Sequence, residues 1–407
     1  PHLSLGYSVP SPIFVTDELK KARDAGRFDD GRVTREEAAL VVDGSEDAFT
    51  VDRDRLWRGT VFPATDAENW FVSATAAYWR ILEGMSEDDP ESAASDLADE
   101  LGSLNARYLY TISREPEVVA VETRRAYDVF GPYQIPRIKG TFALHQLRLQ
   151  LGDDTFFDVM NAVHRRFANR EMTNADFLAV ADEVAGRDLS ADLHQWIGRT
   201  GLPALRPEVK LSKRKSTWEV EVVVRQDGEP YRLATHVAIT AGGERHLRSM
   251  DVEGATSRAV FSFDQPPTLM EFNAINDIPV NNPNFYTWRN FFDDFHDTLI
   301  VYGTGRQDEA NHTLARRWQE TLANAYVEIL PPLVKDSELT TEQAASSDLI
   351  VIGSLDDNNL LDRLGLEAEL TWGKNHFTWR GTTYSDPDQG LFLVIPNLLN
   401  PQKAVYL

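Results

Sequence analysis

The spacing of apolar residues changes along the chain and divides it into regions. Between residues 51 and 202, Leu, Phe, Val and Ala recur at three- and four-residue intervals, as in SAASDLADELGSLNARYLYTI and DTFFDVMNAVHRRFAN. This spacing places the apolar side chains on one face of an α-helix. Ser92, Thr173 and Ser190 precede three such runs as candidate N-caps. The pattern predicts a bundle-like helical domain over residues 51–202.

After residue 203 the apolar period becomes two. STWEVEVVVRQDGEPYRLATHVAIT alternates apolar and polar positions, and QDGEP within it is interpreted as a hairpin turn. Short alternating strands over residues 203–280 predict a small β-sandwich. An aromatic linker rich in Asn and Pro follows at 281–297. From 298 to 407, apolar strands alternate with helical segments, which predicts an α/β domain.

The complete prediction is a multidomain α+β fold. It consists of a mostly helical domain, a small β-sandwich and a three-layer α/β domain with a mainly parallel sheet. The first fifty residues show a mixed pattern, with a helical piece, VTDELKKARDAG, and a strand-like piece, AALVVDG. The chain begins at Pro1 and ends at KAVYL, inside a predicted strand. We therefore expect it to derive from a longer protein and its last domain to be truncated.

The amino-acid composition limits the classes of partner that the protein can bind. The net charge is -23, from 64 acidic and 41 basic residues. Such a surface repels nucleic acid and anionic membranes, so we expect neither as a partner. No apolar run reaches the ~20 residues that a membrane helix needs, so we expect a soluble protein, with its compartment and oligomeric state left open. The absence of Cys excludes disulfides and thiolate metal sites.

A series of landmarks in the helical region matches a known family. In chain order they are Lys139-Gly140, Leu151-Gly152, Phe156, Thr173, Asp176-Phe177, Gly186, Asp188-Leu189, Trp196, Gly201 and Pro203. In this order, and before a β-sandwich, they resemble the alanyl/leucyl-aminopeptidase family of zinc metallopeptidases. The resemblance covers roughly residues 51–280 and implies a thermolysin-like domain. It also implies a zinc ion held by an HExxH helix and a later Glu.

The stretch VDRDRLWRGTVFPATDAENWFVSATAAYW would carry that zinc site. Aligning RLWRG with the family pattern H-x-W-x-G places Val51 and Arg55 at the two His positions. Asp52 then falls on the general-base Glu. Aligning WFVSATAAY with the family's later Glu-containing helix places Ser73 at the third ligand. The resemblance therefore implies a degenerate site in which no ligand is matched.

The same alignment places Arg137 where the family has a substrate-polarising Tyr, and Tyr133 lies one turn away. In one interpretation, Arg55 and Arg137 face a remnant cleft and bind a peptide C-terminus or another anion. In the alternative, VDRDRL is a solvated helix face with Asp52–Arg55 and Asp54–Arg58 pairs.

A histidine count supports the loss of zinc without any alignment. Between Pro1 and Leu144 there is one histidine, His2. A zinc-peptidase site needs two imidazoles four residues apart on one helix. We therefore predict no catalytic residues of this family, no metal and no cofactor. His145, His164 and His194 are expected at the core edge or the surface, and Trp196 in the core.

The last domain offers candidate cleft residues without a recognised chemistry. VYGTGRQDEAN has Asp308 where a dinucleotide fingerprint needs Gly, and VIGSLDDNN lacks a G-x-S-x-G elbow around Ser354. Loops at the carboxyl ends of parallel strands are where such folds bind ligands. Thr304, Ser354 and Asn358 are expected there.

We predict a non-catalytic, aminopeptidase-like protein that binds a peptide or a protein. The alternative is an active hydrolase or metallopeptidase whose catalytic residues lie in the α/β domain or in a part of the parent chain missing here. A third possibility is a purely structural helical region. An open cleft at Arg55, Ser73 and Arg137 would favour binding, and a filled one would favour the structural role.

We expect near-zero zinc per chain after purification with added zinc and dialysis, because no imidazole pair occupies the ligand positions. Metal analysis of the dialysed protein measures this content. About one zinc ion per chain would contradict the prediction, and the ligands would then have to be sought among His145, His164, His194 and neighbouring carboxylates.

Overall fold

The computed structural model places the chain in two compact units, one within residues 8–282 and one within residues 283–407. We call them the first and the second unit. The residues described are 13–14, 40–42, 51–57, 59–86, 89–114, 116–122, 130–281, 297–325, 330–354, 356–364, 370–373, 376–379, 382–386, 391–397 and 399–407. None of the helices among them is long and apolar enough to cross a membrane.

Helices fill the predicted helical region of the first unit. In the described part of that region they are α1 (Asn69–Gly84), α2 (Pro90–Arg114), α3 (Phe130–Leu151), α4 (Asp153–Phe167), α5 (Asn174–Ala185) and α6 (Ser190–Ile197). Helices α2, α4 and α5 bury the apolar face that their spacing predicted, whereas α3 is buried on nearly all sides over residues 134–148. Trp196 is fully buried as expected. Two short parallel strands, β3 (Phe62–Pro63) and β4 (Glu171–Met172), join the start of this region to its end.

One of the three predicted N-caps is confirmed. Thr173 caps α5 and forms a capping box with Asp176. Helix α2 instead begins at Pro90, so Ser92 lies inside it and donates to Asp89 at 2.6 Å. Ser190 is the first residue of α6 and not its cap. A proline is well suited to the first helical position, which moves the start of α2 upstream of Ser92.

The β region of the first unit contains two sheets. Their strands are β1 (Ile13–Phe14), β2 (Leu40–Val42), β5 (Ala204–Arg214), β6 (Thr217–Asp227), β7 (Leu233–Ala241), β8 (Glu244–Val252), β9 (Thr256–Phe263) and β10 (Pro267–Phe272). One sheet has the order β1-β10-β7-β8-β2 and the other the order β5-β6-β9. The predicted strand AALVVDG is confirmed as β2, whereas VTDELKKARDAG and nearly all of the predicted linker 281–297 lie outside the described residues.

The interpretation of QDGEP as a hairpin turn is wrong. Strand β6 pairs with β5 and β9, while β7 pairs with β8 and β10, so this turn connects the two sheets. Gly228 supplies a positive φ of 76°, and the Gln226 side chain bonds both the N–H and the carbonyl of Tyr231. Turn residues predict a reversal of the chain, but they do not determine which strands pair.

The second unit has the predicted mainly parallel sheet. Its order is β12-β11-β13-β18-β17, with β17 antiparallel to β18 and the other neighbours parallel. The strands are β11 (Thr298–Tyr302), β12 (Leu333–Lys335), β13 (Asp348–Ile352), β17 (Val394–Asn397) and β18 (Asn400–Tyr406). A separate antiparallel sheet of β14 (Leu370–Gly373), β15 (His376–Trp379) and β16 (Thr382–Tyr384) was not predicted.

Helices lie on both faces of the parallel sheet. They are α7 (Asp308–Ala325), α8 (Thr341–Ser346) and α9 (Asn359–Arg363) among the described residues. The His312 ring of α7 contacts the ring of Tyr302, while Ala344 of α8 and Leu360 of α9 pack against Val301. Because successive side chains of a strand point to opposite faces, α7 lies opposite α8 and α9. This agrees with the predicted three-layer arrangement.

A glycine allows helices α1 and α3 to pack closely. A Cβ atom added at Gly140 would lie 2.7 Å from the Cβ of Ala74 and 2.9 Å from the ring of Trp70. Both neighbours are fully buried and Trp70 has no room to move away. Gly140 of the K-G landmark is therefore required by the contact between these two helices.

We expect Gly140→Ala to lower the free energy of unfolding by about 1–3 kcal/mol, because the added methyl group overpacks this contact. Gly84→Ala is the matched control, since Gly84 also lies in a helix and a Cβ there meets nothing within 4 Å. Urea unfolding of both variants measures the difference. Equal stability of the two variants would contradict this explanation of Gly140.

Candidate functional site

Residues 51–55 do not form the helix that the alignment with HExxH requires. Arg53–Arg55 form a single 3-10 turn, and Leu56 after it is extended and buried. Asp52 is the N-cap of this turn and accepts from the N–H of Asp54 at 2.9 Å. The interpretation of VDRDRL as a solvated helix face is therefore wrong. Its predicted Asp54–Arg58 pair involves Arg58, which lies outside the described residues.

The guanidinium of Arg55 is bound to the first turn of α4. Its Nη1 lies 2.9 Å from a carboxylate oxygen of Asp154, and its Nη2 donates to the Asp154 carbonyl at 3.2 Å. Its Cζ atom also lies 4.9 Å from the ring centre of Phe157. Arg55 thus joins the turn to α4 and is only 28% exposed.

The other residues aligned with the metal site have different surroundings. Val51 is half-buried before the turn. Ser73 is half-buried on α1, and its hydroxyl donates to the carbonyl of Asn69 at 2.8 Å. Arg137 is half-buried on α3. The backbone of Tyr133 lies in the same helix, but its side chain is outside the described residues.

These side chains do not fit a zinc ion. Val51 has no donor atom, and the guanidinium of Arg55 has no free lone pair. The hydroxyl of Ser73 is already bonded within its own helix. Among the described residues, no group of three or more His, Asp or Glu side chains is arranged to hold a metal.

The Trp and Gly of RLWRG have a structural explanation. Trp57 stacks on His164 of α4, with ring centres 4.6 Å apart and an angle of 7° between the planes. A Cβ at Gly59 would lie 2.4 Å from the same imidazole. His164 is half-buried as predicted, and the exposed His194 also matches its prediction. The Trp and Gly that resemble the family pattern thus pack this segment against α4.

The Lys of the K-G landmark is buried beneath the end of the helical region. Lys139 is 1% exposed and its ammonium lies 3.4 Å from Glu117. It donates to the carbonyls of Arg199 and Gly201. Burial lowers the pKa of Lys139 to about 8, against the opposing effect of Glu117. Burial also raises the pKa of Tyr108, over whose ring the ammonium lies.

Four polar side chains form a buried chain through the first unit. The Tyr78 hydroxyl lies 2.9 Å from Nδ1 of His145, whose Nε2 lies 2.8 Å from Asp277. The other oxygen of Asp277 is 2.9 Å from Nδ1 of His236. The prediction of His145 at the core edge or surface is thus wrong, since it is 1% exposed. Its partners are 67 and 132 residues away, so no sequence spacing indicates them.

A groove of about 310 Å³ opens between α6 and the β6–β7 connection. Arg199 and Arg232 contribute cations to its wall, and Tyr231 lies beneath the Arg199 guanidinium at 4.2 Å. Arg199 pairs with Glu229 and Arg232 with Glu253, carboxylates that are 77% and 66% exposed. Arg232 also donates to the buried Asp192, 3.1 Å away in the groove wall. The sequence analysis did not single out this groove.

The second unit brings its three predicted cleft residues to one edge of the sheet. Thr304 follows β11, and its hydroxyl donates to Asp336 at 2.6 Å. Ser354 follows β13 and donates to Asp357 at 2.7 Å. Asn358 is 1% exposed and donates to the carbonyl of Ile352 at 3.0 Å.

Two buried aspartates connect these loops. Asp336 accepts from the N–H groups of Thr304 and Asn359, at 3.0 and 2.8 Å. Asp357 accepts from the N–H groups of Arg306 and Gln307, at 2.8 and 3.1 Å. Neither aspartate was predicted from the sequence, although Asp336 directly follows β12. Strand β12 was not among the strands predicted from the sequence, so the reasoning about strand ends did not reach Asp336.

The loop after β13 leaves little room beside Gly303 and Gly305, which follow β11. A Cβ at Gly303 would lie 2.3 Å from the carbonyl oxygen of Asp357, and one at Gly305 would lie 2.8 Å from its Cα. The loop after β13 therefore packs directly on the loop after β11. The N–H groups of Arg306 and Gln307, at the start of α7, are already occupied by Asp357.

Comparisons with known proteins support a relation to aminopeptidases. No family model matches the chain. Aminopeptidase N of Streptomyces lividans is 33% identical over 72 residues, which are 18% of this chain and 8% of that protein. Aminopeptidase N of Lactococcus lactis subsp. lactis is 25% identical over 158 residues, 38% of this chain and 17% of that protein.

The chain therefore spans less than a fifth of these relatives, and part of it is related to aminopeptidase N. Aminopeptidase A of Legionella pneumophila, solved in complex with aspartic acid, matches 57% of this chain and 30% of its own, at 12% identity. The TM-score of 0.32 is too low to establish a common fold. The relation to aminopeptidases is confirmed in this coarse form, and the loss of the zinc site stays a prediction.

We expect Asp357→Ala to lower the free energy of unfolding of the second unit by about 2–4 kcal/mol, because buried N–H and O–H donors lose their acceptor. The neighbouring Asp356→Ala is the control, since that carboxylate is 63% exposed and makes only a long contact with Arg306, at 3.7 Å. We expect it to change stability by less than about 0.5 kcal/mol. Urea unfolding checks both, and a similar effect of the two substitutions would contradict the role of Asp357.

Proposed function

We propose that this chain is a non-catalytic, aminopeptidase-related protein that binds a peptide or protein partner. The observation that carries the proposal is the backbone at residues 51–55. A zinc-peptidase helix would present two imidazoles four residues apart there, whereas this chain has a 3-10 turn. The side chain of Arg55 is a permanent cation bonded to Asp154, and it serves the packing of the turn.

The groove beside α6 has the chemistry to bind a peptide carboxyl end. Arginine matches the planar geometry of a carboxylate and binds it through two parallel hydrogen bonds. The Glu229 partner of Arg199 and the Glu253 partner of Arg232 are largely exposed, and exposed ion pairs contribute little. Arg232 also donates to the buried Asp192 at 3.1 Å and keeps this bond when Glu253 is replaced. A ligand carboxylate could therefore replace Glu229 or Glu253 at small cost. We propose this groove as the binding site.

The remnant cleft that the sequence predicts at Arg55 and Arg137 is the other candidate site for the carboxylate. The Asp154 partner of Arg55 is 96% exposed, so the same exchange is possible there. However, Arg55 also lies on the ring of Phe157, which favours its present position. This second location can be tested with the same ligands.

An active hydrolase in the second unit is the alternative function. Among the described residues, Ser354 donates its hydroxyl to Asp357, while the His312 ring contacts the ring of Tyr302. A serine nucleophile would need a histidine base in hydrogen-bond reach. His376 lies against Gly373 in the small sheet, and His296 is outside the described residues. These contacts favour the non-catalytic proposal.

We expect the purified chain, supplied with zinc, to release no product from aminoacyl-4-nitroanilides, because it lacks imidazole ligands at the metal positions. Assays with and without a chelator measure this activity. Hydrolysis that the chelator abolishes would contradict the proposal. Ester hydrolysis that disappears in Ser354→Ala would instead support the alternative hydrolase.

We expect fluorescently labelled peptides with a free C-terminus to bind, and amidation of that end to weaken binding about tenfold or more, because it removes the carboxylate. Fluorescence anisotropy measures the affinities. Arg199→Ala with Arg232→Ala should weaken binding similarly. Arg206→Ala is the matched control, since Arg206 is 67% exposed on β5.

Comparing the Arg199/Arg232 variants with the Arg55/Arg137 variant locates the peptide-binding site. Loss of binding in the Arg55→Ala, Arg137→Ala double variant, with the groove variants unaffected, would move the site to the other cleft. Absence of saturable binding for a degenerate peptide library and for affinity-captured protein partners would overturn the binding function. The helical region would then have a purely structural role.

A further inference from the structure

The buried chain Tyr78–His145–Asp277–His236 is not used by the proposed function. Its members come from α1, α3, β7 and the irregular loop at residues 273–281, which follows β10. Tyr78 and Asp277 are fully buried, and the two imidazoles are at most 3% exposed. A titratable cluster this deep in the core connects the helices to the β region of the same unit.

The neighbours of His145 determine where its proton lies. The guanidinium of Arg148 interacts with the Tyr78 oxygen and carries only donors, so the Tyr78 O–H points away from it. That hydroxyl therefore donates to Nδ1 of His145, which must present a lone pair. Nε2 then carries the proton and donates to Asp277. The geometry holds His145 neutral, in one tautomer.

Burial and the neighbouring charged groups shift the pKa of His145 in opposite directions. Burial lowers the pKa of His145, Asp277 raises it, and Arg148 and His236 lower it. Arg148 is itself bonded through two nitrogens to Asp153 at the start of α4. Burial raises the pKa of Tyr78 to about 12, so this group remains a hydroxyl.

Asp277 remains ionised despite its burial. Burial alone would raise its pKa, but His236 and the hydrogen bonds from His145 and His236 hold the pKa below its usual range. The carboxylate also accepts the backbone N–H of His236 at 2.8 Å. Gln146, next to His145, donates to the Asp277 carbonyl and to the carbonyl of Ala234. The loop and β7 are therefore attached to α3 through these adjacent residues.

A second proton on His145 would disrupt this arrangement. Nδ1 would become a donor that faces the donor hydroxyl of Tyr78, with the Arg148 cation beside it. Turning the hydroxyl to accept would direct its hydrogen elsewhere in a fully buried site. The contact between α1 and α3 would lose a hydrogen bond that it cannot easily replace.

We propose that the Tyr78–His145–Asp277–His236 chain is an acid-sensitive latch that holds helices α1 and α3 on strand β7 and the loop at 273–281. At neutral pH the latch is closed. When His145 takes up a proton, the loop and the adjoining end of β7 open locally from the helices.

The direction of the pH dependence follows from linkage. An imidazole whose pKa is lowered in the folded state binds fewer protons there than in the unfolded state. Its contribution to stability is therefore present at high pH and is lost as the pH falls below the unfolded value of about 6.5. The lowered pKa of Asp277 acts in the same direction, but only below about pH 4.

Amide hydrogen exchange of the whole chain between about pH 7.5 and 5 tests the latch, after correction for the intrinsic exchange rate. The reporters are the amides of Ala274, Asn276 and Ile278, all hydrogen-bonded in the structure. We expect their protection to fall about tenfold or more, before that of amides in β5 and β6. NMR of the His145 ring should show the Nε2–H tautomer at pH 7.

His145→Gln is the main variant, since its amide can donate to Asp277 and accept from Tyr78 without titrating. We expect it to reduce the fall in protection to less than about threefold. The exposed His194→Gln is the matched control and should behave as the parent chain does. An equal fall in the parent chain and in His145→Gln would overturn the proposal, as would a protonated His145 at pH 7.

Tyr78→Phe keeps the test available if His145→Gln does not fold. Removing the hydroxyl takes a hydrogen bond from the neutral imidazole alone, so the pKa of His145 should rise. The pKa values of the closed and open states then differ less, so we expect protection to fall less between pH 7.5 and 5 than in the parent chain. An equal or larger fall in protection than in the parent chain would overturn the latch.

Discussion

An ionised carboxylate remains in an apolar interior only while hydrogen-bond donors surround it. In the first unit this constraint applies to Asp277, which accepts from two imidazoles and from a backbone N–H. These donors come from α3 and β7, so the loop that carries Asp277 must lie between them. Asn273 and Asn276, with φ of 57° and 59°, let the chain turn sharply enough to place the carboxylate there.

The second unit uses the same constraint at the edge of a parallel sheet. Asp336 and Asp357 connect the loops after β11, β12 and β13 by accepting their N–H groups. Folds of this type bind ligands at that edge. Here internal carboxylates occupy donors that a bound anion would otherwise use. The edge therefore has the topology of a ligand site, but its hydrogen-bond donors and acceptors mostly bond to one another.

The sequence predicted those features that depend on local periodicity. Burial of one face repeats every three to four residues in α1 or α4 and every two residues in β6, so the helices and strands were recognisable. The structure places Thr304, Ser354 and Asn358 at one edge, because the carboxyl ends of parallel strands converge there, and their role as cleft residues stays a prediction. The aspartates that organise these loops depend on contacts between distant segments, as does the His145–Asp277 pair.

Local patterns were also insufficient where the backbone departs from regular structure. VDRDRL has the charge spacing of a helix, yet it forms a turn because Arg55 and Leu56 are drawn to α4 and to the core. QDGEP has the composition of a hairpin, but strand pairing depends on partners elsewhere in the chain. Neither outcome can be derived from the residues within the segment itself.

The 3-10 turn has a consequence for attempts to engineer a zinc site at residues 51–55. With about three residues per turn, positions four apart no longer share a face as they do in an α-helix. Placing His at 51 and 55, Glu at 52 and Glu at 73 would supply the ligand types but not their common direction. The substitution at 55 would also remove the ion pair with Asp154. Zinc binding at these four positions would require a redesigned backbone entering α1, since point substitutions alone leave the ligands divergent.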